Sequence, residues 1–315
     1  MGVAHTTALR WQNRFAICLP PLPTAVDLFC GAGGLSLGIK QHLAVAQGYD
    51  WHSPAVDVYN RNLAHGADVL DLADVTTAVR AIRRLAPAVI VGSPPCQDFS
   101  AAGCQTESDR ASLTVAFAEI VTGVMPRAFL MENVDRAQSS SAWQVAREIL
   151  KAAGYGITER VICASLLGVP QRRRRLIVWG ILDGMDDALG HLADSRLASR
   201  PLSVAEALPH LPAAWYRHPR NPRTCGIYTA TEPSPTITAT NRPIPSGYLR
   251  RSGDAADPAT VRHLTPAERA EIQGFPPTWE WTGSQTARDL LVGNAVPPPV
   301  GAWAASILID GLAQR

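Results

Sequence analysis

Cys96 has the sequence surroundings of a nucleophile. It follows Pro94 and Pro95, which are separated from the apolar run Ala88–Val91 by Gly92 and Ser93. Because proline fixes the backbone angle φ, the thiol is held rigidly at the end of a predicted buried strand. A thiolate placed in this way can add to an electron-poor ring carbon, for example C6 of a pyrimidine. The alternative, a buried structural thiol, leaves its neighbours unexplained.

Glu132 and two arginines have the side-chain chemistry that such an addition requires. The pyrimidine needs a proton or a strong hydrogen bond at N3 and a donor at O2, and Glu132, at a predicted strand end, supplies the first if burial keeps it protonated. Arg173 and Arg175 alternate along the opening of a strand, so both are expected to point into one site. One would hold O2 and the other would orient Glu132 or a phosphate. Arg172 and Arg174 would face elsewhere.

A glycine-rich turn upstream is typical of a nucleotide-type ligand. Gly31, Gly33 and Gly34 follow a predicted strand and open a helix, where backbone N–H groups can approach a ligand. Alone, this turn fits a dinucleotide, S-adenosylmethionine or simple tight packing.

Three further residues are candidates for the rest of that ligand. Asp50, at the end of the next strand, can accept hydrogen bonds from ribose hydroxyls. Trp51 can stack on an adenine or lie in the core. Asp68 can bind the adenine amino group or act as a helix cap or turn residue.

Short apolar strands alternate with helical patterns up to about residue 181, which predicts a mainly parallel sheet covered by helices on both faces. The predicted strands are Ala25–Phe29, Ala88–Val91, Ala128–Met131, Ile157–Ala164 and Leu176–Ile181. The predicted helices are Leu35–Leu43, Thr76–Ala86, Ser112–Val124 and Ala142–Ala153, and helices return at Pro266–Gln273 and Pro297–Leu312. Residues 1–23 are expected to be an irregular lead-in.

The segment from about Asp183 to Asp257 is rich in proline and lacks strong helical periodicity. Within Arg217–Arg251, six arginines stand against one acid, Glu232, which gives a local charge of +5. A basic irregular insertion after an α/β core predicts a region that recognises a polyanionic substrate, and a solvated insertion is the alternative.

The composition is that of a globular protein with a sizeable core: 315 residues, 46% hydrophobic, 18% charged and a net charge of +2. Six cysteines without a CxxC pair argue against a disulfide framework or a zinc site, so we expect no metal. The N-terminus has no signal-peptide pattern, and the apolar stretch Val300–Ile309 is too short to cross a bilayer. These features predict a soluble intracellular protein.

Six segments, taken in order, resemble the motifs of DNA (cytosine-5)-methyltransferases over nearly the full chain. They are Asp27–Gly34 (first cofactor motif), Pro95-Cys96-Gln97 (catalytic proline–cysteine), Glu132-Asn133-Val134 (ENV), Gln171–Arg175 (QxRxR), Arg262–Pro276 (ninth motif) and Gly293–Pro297 (tenth motif). Ser234–Thr238 also resembles a stretch of that family's recognition domain.

The resemblance implies a Rossmann-like, S-adenosylmethionine-dependent methyltransferase sheet with a smaller, irregular target-recognition domain. It implies a catalytic domain at 24–181, a recognition domain at 182–288 and a C-terminal return at 289–315. The expected catalytic residues are Cys96, Glu132, Arg173 and Arg175. The expected cofactor-binding residues are Asp27, Phe29, Gly31, Gly33, Gly34, Asp50, Trp51, Asp68, Val69, Pro95, Asn294, Ala295 and Val296.

The implied reaction is methylation of C5 of a flipped-out cytosine in a specific duplex sequence through a covalent Cys96–C6 adduct. The loop Gln97–Arg110 is a candidate lid over DNA. The candidate DNA contacts are Gln97, Ser100, Arg217, Arg220, Arg223, Thr238, Thr240, Asn241 and Arg242. The resemblance further implies a monomer in a bacterial or phage-encoded cytoplasmic setting, with a cognate restriction endonuclease as a candidate partner.

Three positions depart from the family pattern: Cys163 stands where asparagine is common, Ala267 where arginine is common, and Leu291 where a glutamine is usual. None removes a group that the reaction requires. Three other functions stay open at this point. The chain could methylate cytosine in transfer RNA, could be a nucleic-acid-binding relative without catalysis, or could be a nicotinamide-dependent oxidoreductase, although the last leaves the Pro-Cys-Gln and ENV segments unexplained.

Overall fold

The computed structural model describes residues 21–95, 112–219 and 224–314. Its centre is a seven-stranded sheet with the strand order β3-β2-β1-β4-β5-β8-β6. The strands of this sheet are β1 (Thr24–Leu28), β2 (Ala44–Asp50), β3 (Ala67–Val69), β4 (Val89–Gly92), β5 (Ala128–Val134), β6 (Tyr155–Cys163) and β8 (Arg174–Leu182). A short strand, β7 (Gln171–Arg172), precedes β8.

The sheet is parallel except for β8, which runs antiparallel to both β5 and β6. Strand order reverses between β1 and β4, because the chain first builds outward to β3 and then returns to the other side of β1. In open α/β sheets, ligands bind at the carboxyl ends of the strands next to such a reversal. The predicted Rossmann-like sheet is therefore confirmed.

Both faces of the sheet are buried, and the side chains of β5 divide between them. Ala128 and Leu130 belong to one apolar cluster, while Phe129 and Met131 belong to the other. This alternation follows from the two-residue period of a strand, and it explains why the strand is apolar throughout. The helices of this part of the chain are α1 (Gly34–Ile39), α2 (Ser53–Asn62), α3 (Val75–Arg83), α4 (Ser112–Val124) and α5 (Ser141–Ala152).

After Leu182 the elements are short as far as Ile272, and two longer helices follow. In order, the elements are α6 (Gly190–Ser195), α7 (Val204–Ala207), β9 (Ala214–Tyr216), β10 (Ile227–Thr229), β11 (Ser234–Pro235), α8 (Pro266–Ile272), α9 (Gln285–Asn294) and α10 (Pro298–Ala313). Strands β9 and β10 pair antiparallel, and β11 pairs parallel with β7. A third apolar cluster joins this region to α2, with Tyr59 of α2 and Trp215 and Phe275 of the later region among its members.

The C-terminal segment returns to the sheet. Helix α10 packs against α1, and a Cβ on Gly38 would lie 2.1 Å from the Pro298 carbonyl oxygen, so only glycine permits this approach. Residues Gln285–Ala313 are apolar and long enough to span a membrane on composition, but they are mostly buried in the fold and are interrupted between α9 and α10. Core packing accounts for their apolarity.

The main predicted elements are present, with shifted boundaries. The predicted helix Leu35–Leu43 is shorter in the structure, which ends α1 at Ile39, and the predicted strand Ile157–Ala164 begins earlier, at Tyr155. The structure adds α2 and α9, which the sequence patterns did not predict.

Candidate active site

The parallel register brings the ends of β4 and β5 together. Gly92 of β4 lies opposite Met131 of β5, so the next residues, Ser93 and Glu132, emerge side by side at the carboxyl edge. The hydroxyl of Ser93 donates a hydrogen bond of 2.5 Å to Oε2 of Glu132. Glu132 is only 4% exposed. The sheet thus places the predicted acid next to the segment that leads toward Cys96.

Arg175 completes the surroundings of Glu132. On β8, Ile177 lies opposite Glu132, and Arg175, two residues earlier, is on the same face of the sheet. The Nε of Arg175 lies 2.8 Å from Oε1 of Glu132, so the two side chains form a close ion pair. The geometry of this contact does not meet the criteria of a hydrogen bond. This contact agrees with the prediction that one arginine orients the glutamate.

Asn133 holds the same segment from its other side. Its amide Nδ2 donates to the carbonyl of Pro94 at 3.2 Å, and its own Oδ1 accepts from the backbone N–H of Val134. Pro95 is the last described residue of this stretch. Cys96, Gln97 and Ser100 lie outside the described residues, as does the whole candidate lid from Gln97 to Arg110.

Arg173 makes different contacts from those expected. It is buried, and its guanidinium donates to the carbonyl oxygens of Ile237, Gly293 and Ala295. Burial and the neighbouring Arg175 lower its pKa. Arg173 lies between β7 and β8, and its guanidinium joins this part of the chain to the segments that contain Ile237 and Gly293. Its Nε is buried without a hydrogen-bond partner.

The glycine turn after β1 is organised by Asp50. One carboxylate oxygen of Asp50 accepts from the backbone N–H of Gly31 and the other from that of His52, both at 2.8 Å. Burial raises the pKa of Asp50, and these two hydrogen bonds oppose the shift. Gly31 and Gly33 have positive φ, and a Cβ on Gly31 would meet no atom within 4 Å, which leaves open space beside the turn. Phe29 also has positive φ.

Asp27 lies fully buried below this turn, at the start of a chain of hydrogen bonds. Ser36 donates to its Oδ2, Tyr59 donates to Ser36, and the Tyr59 hydroxyl meets Nε2 of His65, each at 2.7 Å. Burial raises the pKa of Asp27 to about 7, and the nearby Asp50 adds to the shift. The other oxygen of Asp27 is buried without a hydrogen-bond partner.

The edge of the sheet beyond Asp50 is exposed. Trp51 is 66% exposed, which excludes the alternative that it is a core residue. Asp68 and Val69 lie at the end of β3, where Val69, 56% exposed, pairs with Asp50 in the strand register. An open aromatic face and a carboxylate therefore stand at adjacent strand ends.

The tenth motif packs against the first. A Cβ on Gly34 would lie 2.1 Å from the carbonyl oxygen of Val296, so the close approach of the two segments requires glycine. Ala295 and Val296 are buried, whereas Asn294, the last residue of α9, is exposed.

A buried polar brace, which the sequence analysis did not predict, connects separate segments of the later region to one another. Arg269 of α8 forms an ion pair with Asp289 of α9 and also donates to the carbonyl of Thr238. Burial lowers the pKa of Arg269, and Asp289 opposes this. Asn241 also donates to Asp289, at 3.1 Å. These partners are distant in sequence and share no motif spacing, so no sequence signal identified them.

Gln171 and Gln273 extend the brace. Oε1 of Gln171 accepts from the backbone N–H of Ile237 at 2.9 Å, and Nε2 of Gln171 donates to Oε1 of Gln273 at 3.4 Å. Nε2 of Gln273 in turn donates to the carbonyl of Val292. Both glutamines are fully buried. The first residue of the QxRxR segment thus has an evident role in joining segments.

The candidate DNA contacts occupy varied positions. Arg217 donates to the carbonyl of Thr236 at 3.0 Å, while Thr240 and Arg242 are exposed. Thr238 and Asn241 are partly buried. Arg220 and Arg223 lie outside the described residues.

The comparison with protein families establishes the family of the chain and so excludes the nicotinamide-dependent oxidoreductase. The model for C-5 cytosine-specific DNA methylases matches residues 24–229 and 220–308. The chain belongs to this family. It is a DNA cytosine-5-methyltransferase, and the predicted resemblance is confirmed.

Two similar relatives span almost the same length. The chain is 40% identical over 287 residues to the type II methyltransferase M.HgiDI of Herpetosiphon aurantiacus, covering 90% of this chain and 93% of the relative. It is 38% identical over 291 residues to M.HindV of Haemophilus influenzae, covering 90% and 96%.

Solved structures agree on the fold. The Dnmt2 methyltransferase of S. pombe superposes with a TM-score of 0.67 at 17% identity, over 93% of this chain and 99% of the other. The methyltransferase EhMeth of Entamoeba histolytica gives 0.63 at 16% identity with the same coverage. The sheet is therefore that of a methyltransferase. Within the described residues, no group of three histidine, cysteine or acidic side chains could hold a metal ion.

Proposed function

We propose that this methyltransferase transfers a methyl group from S-adenosylmethionine to C5 of cytosine within a specific double-stranded DNA sequence. The observation that carries the proposal is the hydrogen bond between Ser93 and Glu132, together with that between Asn133 and Pro94. These contacts fix the acid and the segment before Cys96 to one edge of the sheet, so a nucleophile and a proton donor can reach opposite sides of one pyrimidine.

The chemistry proposed for the chain begins with Cys96. Its thiolate bonds to C6 of a cytosine that has left the DNA stack, and the electron pair of the C5–C6 double bond moves toward C5 and N3. Glu132 gives a proton to N3, which neutralises the developing charge. After methylation, a water molecule accepts the C5 proton, and the electron pair of the C5–H bond restores the C5–C6 double bond as the thiolate leaves. Glu132 takes its proton back from N3.

Arg175 is proposed to fix the direction of Glu132 and to offer further N–H groups to O2 of the base. Its contact with Oε1 and that of Ser93 with Oε2 restrain the carboxyl group from both sides. Arg173 is proposed to act as a positioning residue, since its guanidinium holds three backbone carbonyls that connect the catalytic segment to the later region.

The residues at the open edge fit S-adenosylmethionine, which supplies an electrophilic methyl group when bound. Trp51 offers an exposed ring on which the adenine can stack, and Asp68 offers a carboxylate to the adenine amino group. The open space beside Gly31 can hold the rest of the ligand. Oδ1 of Asp27, which is buried without a hydrogen-bond partner, is proposed as a further polar group of this site. Asp50, already bound to the turn, can accept from a ribose hydroxyl with its remaining lone pairs.

We propose the domain division 24–181, 182–288 and 289–315, with the middle part as the DNA-recognition domain. Two relatives are named type II methyltransferases, which supports a bacterial restriction–modification setting with a cognate endonuclease. A cytoplasmic monomer is the proposed form, since one recognition region and one catalytic edge occur in the same chain.

The test is base-resolution cytosine methylation sequencing of a methylation-free bacterial host that expresses the chain. Methylated cytosines in one short sequence context are expected, and they would give the target in the same experiment. An unmethylated genome in the presence of folded protein would contradict the proposal, and methylated transfer RNA from that host would assign the activity to RNA.

A further inference from the structure

A loop of the recognition region presents an apolar side chain to solvent between charged ones. Leu249 is 81% exposed, and it is followed by Arg250 and Arg251. An exposed leucine on its own is ordinary. Here, however, it stands on a loop whose base is held by several hydrogen bonds to one buried carboxylate.

Asp254 holds that base. Its Oδ1 accepts from the backbone N–H groups of Gly226 and Ile227 at 2.8 and 3.0 Å, and its Oδ2 accepts from that of Arg251 at 2.8 Å. The hydroxyl of Tyr248 donates to the same carboxylate at 2.9 Å. Although burial opposes ionisation, these hydrogen bonds lower the pKa of Asp254, so the carboxylate stays ionised while it holds the base of the loop.

Two neighbours fix the loop from the sides. The ring of Tyr248 meets that of Tyr216 edge-on, with centroids 5.3 Å apart. The guanidinium of Arg251 lies 4.9 Å from the centroid of Tyr248 and donates to the carbonyl of Thr224 at 2.9 Å. Leu249 and Arg250 therefore project from a rigid support, and the entropic cost of ordering them on binding is small.

A series of contacts connects the loop to β7, the short strand that precedes β8. Tyr216, which packs on Tyr248, precedes Arg217, whose guanidinium donates to the carbonyl of Thr236. The hydroxyl of Thr236 donates to the carbonyl of Arg172 at 2.6 Å. Arg172 ends β7, so a short series of contacts joins the loop to the QxRxR segment.

We propose that Leu249 and Arg250 form a contact with duplex DNA, in which Arg250 pairs with a backbone phosphate and Leu249 packs against the sugar or base edges of a groove. This inference rests on the proposed function. Charge complementarity supports DNA as the occupant: the segment Arg217–Arg251 has a local charge of +5, and including Asp254 still leaves a charge of +4 for residues 217–254. Neither residue is among the contacts predicted from sequence.

The test measures the affinity of the enzyme for an unmethylated duplex of about 25 base pairs that contains its target sequence. The affinity is measured at several salt concentrations between about 50 and 200 mM. Arg250→Gln should lower the affinity and reduce the slope of log K against log salt by about 1, because one phosphate contact is lost. Leu249→Ala should weaken binding about tenfold and leave that slope unchanged, because the lost contact is apolar.

The matched controls are Arg84→Gln, at an exposed arginine that follows α3, and Met185→Ala, at a methionine that is 76% exposed and follows β8. Both should bind the duplex as the wild type does. Wild-type affinity and salt slope in both loop variants would overturn the inference while leaving the proposed function intact, and would point to a protein partner for Leu249. A wild-type enzyme that neither binds nor methylates duplex DNA would overturn both.

Discussion

The carboxyl edge of the sheet and the region after Leu182 hold their polar side chains in different ways. At the edge, Glu132 and Ser93 meet because two parallel strands are in register. In the later region, Asn241 and Arg269 bind backbone carbonyls and Asp289, and the strands there are two or three residues long. The first arrangement is set by repetitive backbone geometry, and the second depends on individual side chains.

This difference matches two functional requirements, catalysis at the sheet edge and sequence recognition in the later region. Proton and carbon transfer require groups fixed within fractions of an ångström, which a sheet provides. Sequence recognition needs a surface that can differ between enzymes, which irregular loops held by a few buried polar contacts provide. Changes at the sheet edge should therefore abolish chemistry and leave DNA binding, whereas changes in the brace should weaken the recognition region first.

Cys96→Ala should have the largest effect. We expect the methylation rate to fall by about 10⁴-fold or more, because the substitution removes the thiolate proposed to bond to C6. Duplex binding should persist. The measurement is transfer of a labelled methyl group to target DNA beside a binding titration. Turnover near that of the wild type would remove Cys96 from the reaction.

Glu132→Gln should lower the rate by about 10²- to 10⁴-fold, because the amide keeps the shape of the acid and cannot give a proton to N3. The control is Glu159→Gln, at a glutamate of β6 that pairs with Arg147 and lies outside the site. Single-turnover rates of the two variants should differ by at least about 10²-fold. Equal rates would contradict the role of Glu132.

Asp289→Asn tests the other side of the comparison. It leaves Arg269 buried without its counter-ion, so the free energy of unfolding should fall by about 3–5 kcal/mol. If the protein remains folded at low temperature, the Michaelis constant for DNA should rise more than the turnover number falls. Denaturant titration and steady-state kinetics provide the two readouts. An effect confined to the turnover number would show that the brace acts on chemistry.

Asp27→Asn should change the pH dependence of stability. Because the pKa of Asp27 is raised from 3.8 to about 7 by burial, the native state binds its proton more tightly than the unfolded chain does. Its stabilising contribution is full below about pH 4 and is lost as the pH rises toward about 7, by about 2 kcal/mol between pH 5 and pH 7. Unfolding titrations at these two values should show a smaller difference in the asparagine variant. An unchanged difference would mean that Asp27 is ionised throughout.

The sequence predicted the edge of the sheet better than the later region, for a physical reason. Strands that are buried on both faces are uniformly apolar, so Ala88–Val91 and Ala128–Met131 stand out, and the residues that follow them must lie at a common edge. The pairing of Arg175 with Glu132 follows from the same strand geometry.

The contacts of Arg173 and the brace were not predictable in this way. The partners of Arg173 are carbonyls at positions 237, 293 and 295, which only the folded chain brings near β7. The same holds for Arg269 and Asp289, since an ion pair between irregular segments has no periodic signature. Trp51 was ambiguous because tryptophan serves both cores and stacking surfaces, and only its exposure distinguishes the two.

The central claim is a covalent bond between Cys96 and cytosine C6, and the most direct measurement traps it. A target duplex with 5-fluorocytosine at the methylated position should, with S-adenosylmethionine, form an adduct that survives denaturation. Fluorine cannot leave C5 as a proton does, so the thiolate cannot be eliminated after methyl transfer. The account predicts a protein–DNA band for the wild type, with the adduct mapped to Cys96 by peptide mass spectrometry, and none for Cys96→Ala. An adduct that persists in the alanine variant, or its absence in a wild type that methylates the normal duplex, would contradict the account.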